Sequence, residues 1–376
     1  MKIVHLINGL FTGGAEMMLA RLVERMDRSR FEITVITLLA SGRLEPRFEQ
    51  MGVEVLSLGM RRGVPDPRAI VRCSRLLRRL SPDCVQSWMY HSDLLALLAA
   101  QLAGAPQIIW GIRSSGAEGC AAATGPLIQL CALLSRLPDA IVANSEAGRL
   151  AHERLGYDAR RIVVIPNGFD LEAFRPEAEA RRGVRAELGV AADAVLIGLV
   201  GRLHPVKDHE TFFRAAGRIE KQIPAAQFLL CGTDVVWGNP GISRMLPENG
   251  LRRKIHLLGE RRDIARLTAA LDVATSCSRS EGFPNVIGEA MACGVPCVAT
   301  DAGDSARIVG DTGIVVPRGD PAALAGGCER LLRLTPEARR ALGERARRRV
   351  AERFDIGASA RRYEELYASL AGSNHA

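Results

Sequence analysis

The segment Gly282–Met291 reads GFPNVIGEAM, with Glu281 directly before it and Glu289 eight positions after that first glutamate. On its N-terminal side lies the short apolar run Asp272–Ser276, and beyond its C-terminal end lies another, Pro296–Ala299. A β-rich run, a loop, a helical stretch and a second β-rich run make a βαβ unit, the building block of a parallel sheet. Pro284 suits the first turn of the helix, where its missing N–H is not needed. Glu281 then sits in the loop at the positive end of the helix. Glu289 falls inside the helix, about 6 Å along its axis from the first turn at 1.5 Å per residue. Val286, Ile287, Ala290, Met291 and Ala292 surround Glu289 and leave it little polar face. Two carboxylates so placed are costly unless something binds them.

The same alternation extends outward through the whole chain. In the first half the β-rich runs are Lys2–Ile7, Phe31–Leu38, Val53–Leu58, Asp83–Ser87, Gln107–Ile112, Asp139–Ala143 and Arg161–Ile165. In the second half they are Ala194–Val200, Gln227–Cys231, Lys254–Leu258, Asp272–Ser276, Pro296–Ala299 and Gly313–Val316. Many are continuously apolar, as strands buried on both faces of a parallel sheet must be. Helical stretches such as Asp93–Leu102 and Asp208–Lys221 separate them. A break falls in Pro166–Arg185, where turn chemistry (IPNGFD) precedes a polar, charged stretch. The expectation is an α/β protein of two Rossmann-like doubly wound domains, 1–170 and 171–354, facing across a cleft. The chain's 376 residues suit two cores better than one.

Composition sets further bounds. Hydrophobic residues make up 47% and charged residues 24%, the balance of a globular protein. The nine cysteines include no CxxC pair, and most sit in apolar runs, as small core residues of a reducing compartment do. The start MKIVHLING lacks the apolar stretch of a signal peptide, and no run approaches the ~20 apolar residues of a membrane span. A cytoplasmic location is the expectation. The net charge of +8 rests almost wholly on arginine, since Lys2, Lys207, Lys221 and Lys254 are the only lysines. Aromatics are only 5% of the chain, too few for a base-stacking nucleic-acid surface.

Several loops after β-rich runs carry candidate chemistry. Gly13-Gly14 opens a helix after the first run, so free amides and the helix's positive end offer a phosphate seat. This is not the GxGxxG fingerprint, and a ligand-free tight turn explains it equally well. VGRLHPVKDH, Val200–His209, places Arg202 and the scarce Lys207 on one loop, a fork and a point charge suited to a diphosphate. A solvated basic loop is the plainer alternative. LLCGTD (Leu229–Asp234) and LLGERRD (Leu257–Asp263) each put a glycine and a polar turn after a run, candidate pieces of a nucleotide pocket whose backbone groups would read a base edge. His91, in WMYHSDLL, stands between a run and a helix start with Ser92 as a candidate N-cap. A histidine there is more often structural. No His/Cys/Asp grouping has metal-ligand spacing and there is no DxD motif, so Arg202 and Lys207 would do the work of a metal at a departing diphosphate.

Taken in order, these pieces resemble the retaining glycosyltransferases of family 4, which have the GT-B fold. The resemblance spans nearly the whole chain. The pair Glu281 and Glu289 is similar to that family's signature, GRLHPVKDH to its diphosphate loop, and Gly13-Gly14-Ala15-Glu16 to its N-domain phosphate contact. IVANSE (Ile141–Glu146) and VIPNGFD (Val164–Asp170) resemble its interdomain edge and hinge. ACGVPCVATDAGD resembles the stretch after the helix, with Asp304 in place of a second glycine. The resemblance implies that 1–170 binds the acceptor, that 171–354 binds the nucleotide sugar, and that a C-terminal helix, 355–372, packs back onto the first domain. It implies catalytic roles for His91, Arg202, Lys207 and Glu281, and donor contacts at Gly13, Gly14, Arg202, Lys207, Gly232, Arg261, Glu281, Gly282, Phe283, Asn285 and Glu289. Glu281 would meet the donor sugar and Glu289 the ribose. No cofactor or metal is implied, only a UDP- or GDP-sugar co-substrate and a glycan or lipid-linked acceptor.

Two other classes remain open at this level. One is a nucleotide-sugar epimerase or hydrolase on the same scaffold. The other is a basic nucleotide- or membrane-binding module, motivated by Arg61-Arg62 and by the helix carrying Arg68, Arg72, Arg75, Arg78 and Arg79. That helix has Ile70, Val71, Leu76, Leu77 and Leu80 to bury, so a solvated surface helix is the plain account, and contact with an anionic membrane face is the other. Acceptor choice is expected in loops of the first domain such as Arg113–Gly125.

Overall fold

Strand residues alternate between the two faces of a sheet, and in this chain both faces are apolar. Val4, Leu6 and Ile36 go to one core layer while Ile3, Ile7, Ile33 and Val35 go to another. Each sheet is therefore sandwiched between helices. The computed structural model describes residues 1–40, 42–105, 107–115, 125–191, 194–246 and 251–372. It divides into two units, Met1–Gly168 with Ile356–Ala376, and Phe169–Asp355.

The first unit holds a parallel sheet of β1 (Lys2–Ile7), β2 (Glu32–Leu39), β3 (Glu54–Met60), β4 (Cys84–Trp88), β5 (Ile108–Ile112), β6 (Ala140–Ala143) and β7 (Ile162–Val164). Their order is β3-β2-β1-β4-β5-β6-β7. β4, CVQSW, is buried at every position, because helices cover it on both sides. The helix Ile356–Gly372 belongs to this unit. Ile356, Ala360, Tyr363 and Tyr367 fall on one face at helical spacing and are all buried in its core. Tyr363 stacks on Trp88, and Glu364 accepts a hydrogen bond from the Asp27 amide at 2.7 Å.

The second unit holds β8 (Val195–Val200), β9 (Ala226–Cys231), β10 (Ile255–Leu257), β11 (Val273–Ser276), β12 (Cys297–Thr300) and β13 (Ile314–Val316), all parallel, in the order β10-β9-β8-β11-β12-β13. The order reverses direction at β8, so the loops after β8 and β11 lie side by side. In open α/β sheets ligands bind at such a switch point, outside the carboxyl ends of the strands. Leu196, Leu229, Ala274 and Ala299 pack on one face of this sheet, and Ile197, Phe228, Val273 and Val298 on the other.

Two local expectations are corrected. Ser92 is not an N-cap: the helix runs Tyr90–Ala103 and is entered through Met89 at φ 78°, and Ser92 lies inside it, donating to Asn8 Oδ1 at 2.8 Å. The Asp93 amide bonds back to the Met89 carbonyl, so the helix starts earlier than the polar residues suggest. In the helix Arg68–Leu80, Leu77 is buried and Ile70, Leu76 and Leu80 pack against the core as expected, beside buried Ala69, Cys73 and Ser74, but Val71 is 46% exposed. Val71 falls on the outer side of that face. Among the described residues, no helix is long and apolar enough to cross a membrane.

Candidate active site at the carboxyl edge of the second sheet

The segment that opened the sequence reading folds as expected around its two glutamates. The chain leaves β11 through Cys277 and Ser278, turns at Glu281, and enters the helix Asn285–Ala292 behind Pro284. Glu281 is held from two sides. Its Oε1 accepts the Ser278 hydroxyl at 2.6 Å and forms an ion pair with Lys207 Nζ. The glutamate side chain is 13% exposed and the lysine 27%, so the pair is sheltered but open to the surface. Ser278 is fixed in turn, because Thr300 Oγ1 at the end of β12 donates to its carbonyl at 2.6 Å.

Gly303 explains why the next loop can close on this one. It has φ 58°, and a Cβ there would run into the carbonyl oxygens of Glu281 and Gly282. Beside it the Asp304 amide donates to the Gly282 carbonyl at 3.0 Å. The residue standing where a second glycine was expected thus makes its contact through its backbone. Gly288 answers a different need: the Phe169 ring lies where its Cβ would be.

Lys207 comes from the loop after β8. That loop is stitched to the one after β9 by Gly201 N to Cys231 O and Leu203 N to Thr233 O, both at 2.8 Å. The Gly232 amide donates to Gly259 O at 2.8 Å, joining the loop after β10. The carboxyl edge is therefore a continuous row: Gly259, Gly232, the Gly201–Lys207 loop, Glu281, Gly303. Arg202 is exposed on it. Two cationic side chains on one loop, one beside a carboxylate, can hold a diphosphate and orient a neighbouring hydroxyl-bearing ring.

The remaining expected residues divide. Glu289 is the fifth residue of its helix and 8% exposed. Asn285 opens that helix, half-buried. Phe283 is 5% exposed, and its ring packs against Phe169 and Phe354 in the unit's core, which leaves its backbone as the group it can offer a ligand. Arg261 has its fork engaged: Nε and Nη2 donate to Asp263 at 2.8 and 2.7 Å, and Nη1 to Glu187 at 2.8 Å. Those carboxylates hold its pKa above the ordinary value.

In the first unit, Gly13 is the N-cap of the helix Gly14–Arg25 and has no side chain of its own to cap it. The Glu16 carboxylate folds back beside Gly13, where a Cβ would run into it. His91 is exposed in the first turn of its helix, and partial desolvation lowers its pKa. Of the loop Arg113–Gly125, residues 116–124 lie outside the described residues. Arg113 itself stacks over the Trp88 ring at 3.8 Å and donates to Tyr363 Oη at 2.6 Å and Asn167 Oδ1 at 3.2 Å. Ser278, Asp208 and Arg279 are site-edge residues that the motif reading passed over; a serine three positions before the glutamate was the one visible hint.

Residues 12–173 match the model of Glycosyltransferase Family 4, and residues 194–334 match that of Glycosyl transferases group 1. The chain belongs to the family 4 glycosyltransferases. It is 29% identical over 318 residues to the putative glycosyltransferase EpsF of Bacillus subtilis, covering 80% of this chain and 79% of that protein. It is 28% identical over 246 residues to the UDP-Gal:alpha-D-GlcNAc-diphosphoundecaprenol alpha-1,3-galactosyltransferase of Escherichia coli. That alignment covers 63% of this chain and 62% of the relative, so the chain spans under two thirds of the latter's length. The crystal structure of Anabaena HepE with UDP-glucose superposes with a TM-score of 0.86 at 23% identity, covering 98% of this chain and all of that one. The glycosyltransferase has the GT-B fold.

Proposed function

We propose that this glycosyltransferase moves a hexose-type sugar from a UDP-sugar to a glycan or lipid-linked acceptor, with retention at the anomeric carbon and without a metal ion. The observation that carries the reading is the Lys207–Glu281 pair, held by Ser278 at the switch point of the second sheet beside exposed Arg202. HepE binds UDP and UDP-glucose on a similar fold, and the Escherichia coli relative is named for a UDP-sugar and a lipid diphosphate; both support UDP over GDP.

In this reading the diphosphate lies along the Gly201–Lys207 loop. The bond between the anomeric carbon and the phosphate oxygen breaks, and its electron pair stays on the diphosphate, where Arg202 and Lys207 stabilise the charge. Glu281 accepts sugar hydroxyls through the carboxylate edge that Lys207 and Ser278 leave open, and Glu289 accepts ribose hydroxyls. The acceptor oxygen bonds to the anomeric carbon from the face the phosphate leaves, and its proton passes to the departing phosphate oxygen.

A thermal-shift series with UDP and GDP, followed by NMR of the product anomer in the presence of EDTA, tests the proposal. UDP is expected to raise the melting temperature more than GDP by mass action, and the donor configuration should persist in the product. An inverted product, or activity abolished by EDTA, would overturn the mechanism.

We also propose that the first unit makes peripheral contact with the anionic cytoplasmic face of a membrane. Arg61, Arg62, Arg68, Arg75, Arg78 and Arg79 are exposed beside exposed Val71, a cationic surface with an apolar residue among its charges. Failure of vesicles rich in anionic lipid to retain the protein at low salt would remove this element.

A further inference from the structure

The loops that carry Lys207 and Glu281 are joined by a second ion pair one residue along. Asp208 lies between the turn Pro205–Lys207 and the helix His209–Gln222 at φ 49°, a left-handed conformation that residues other than glycine, asparagine and aspartate seldom adopt. Its side chain is 2% exposed. One carboxylate oxygen accepts Thr211 Oγ1 at 2.8 Å, and the two oxygens accept Arg279 Nε at 2.9 Å and Nη2 at 3.2 Å. Arg279 belongs to the loop after β11, 71 positions away. Its amide donates to Val206 O at 2.8 Å, and its carbonyl accepts Arg318 Nη1 at 2.9 Å, from the loop after β13.

We infer that Asp208 and Arg279 are positioning residues for donor binding, a clamp that fixes the Lys207 loop against the Glu281 loop before the nucleotide arrives. The inference rests on the donor reading above. Lys207 is the residue before Asp208, and Glu281 lies two residues after Arg279, so the clamp and the Lys207–Glu281 pair are successive cross-links between the same two loops. The first has its carboxylate buried, with Asp208 2% exposed, so that group is a structural anchor and not a ligand contact. The second is the functional pair. Lys207 is needed to meet a diphosphate, and its own bond to Glu281 is the one a ligand must share or loosen. The Asp208–Arg279 link, together with the Val206–Arg279 backbone bond, keeps the loops registered while that happens. Ordering them in advance removes an entropic penalty that would otherwise weaken binding.

The Arg279 side chain is 62% exposed, so truncating it leaves the core intact. Binding of UDP and GDP is to be measured by calorimetry for the wild type, Arg279→Ala, Arg279→Lys, Asp208→Asn and the double variant Asp208→Asn/Arg279→Ala, each with its melting temperature. Asparagine retains an oxygen for Thr211. Arg279→Ala is expected to weaken binding of the preferred diphosphate about five- to tenfold, the loss of one preordered contact. Arg279→Lys should recover most of it, and the double variant should bind no more weakly than Arg279→Ala, because both changes break one link. Wild-type affinity in Arg279→Ala, or single effects that multiply in the double variant, would overturn the clamp while leaving the donor reading in place. If the wild type bound neither nucleotide, both would fall.

Discussion

Lys207 and Glu281, 74 positions apart, form an ion pair whose carboxylate oxygen also accepts the Ser278 hydroxyl. Each loop carrying them leaves the sheet beside the other because β8 and β11 are neighbours. Removing either charge should therefore disable the site without unfolding the sheet. Glu281→Ala and Lys207→Ala are each expected to lower kcat/KM for transfer by more than about a hundredfold, the scale of losing a charged transition-state contact. Circular dichroism and melting temperature should stay near wild type. Full activity in both variants would remove the assignment.

Gly303→Ala should damage the same site by geometry alone. The alanine must either hold φ near 58° or push its Cβ into the carbonyls of Glu281 and Gly282. A loss of about 1–3 kcal/mol in unfolding free energy is expected for such backbone strain, along with weaker nucleotide binding, read by denaturant melts and calorimetry.

The first unit carries a buried titratable carboxyl. Burial raises the Asp93 pKa from 3.8 to about 7, against the lowering effects of the Ser87 hydroxyl, the Gly111 amide and Arg113. A folded-state value above the unfolded one means that the neutral acid is favoured by folding. Its stabilising contribution is complete below about pH 4 and is lost as pH rises toward and through 7. Asp93→Asn keeps an acceptor for Ser87 Oγ and Gly111 N and cannot ionise. It should flatten the decline in stability between pH 5 and 8, gaining about 1–3 kcal/mol on wild type at pH 8. Equal slopes in the two proteins would refute the assignment.

Arg113→Ala should loosen the C-terminal helix. It removes the guanidinium stacked on Trp88 and the hydrogen bond to Tyr363. The expected cost is about 1–3 kcal/mol for a partly buried cation–π contact and a charged hydrogen bond together. Limited proteolysis should cut first within 356–372. Tyr363→Phe, which loses only the hydrogen bond, should show about a third of the effect.

The sequence was most informative where physics acts locally. Apolar runs marked the strands because parallel strands are buried on both faces. Lys207 stood out because it is scarce, and Glu289 because a carboxylate amid Ile287, Ala290 and Met291 has to be accounted for. It was less informative where a residue's environment comes from elsewhere in the chain. Phe283 carries the motif's aromatic ring, yet Phe169 and Phe354 absorb it into the core. Arg261 was expected among the donor contacts, and its fork is engaged by Asp263 and by Glu187, from a helix 74 positions earlier. Ser92 reads as a cap, yet Met89 begins the helix.

The sequence by itself determined two parallel α/β units and the loops where chemistry sits, because strand and helix periodicity and loop composition are properties of neighbouring residues. Only the tertiary structure decided that Asp208 meets Arg279, that Ser278 and Lys207 share one oxygen of Glu281, and that Gly303 closes on that glutamate's backbone. Those contacts depend on which strands lie side by side, and strand order is fixed by long-range packing that no local pattern records.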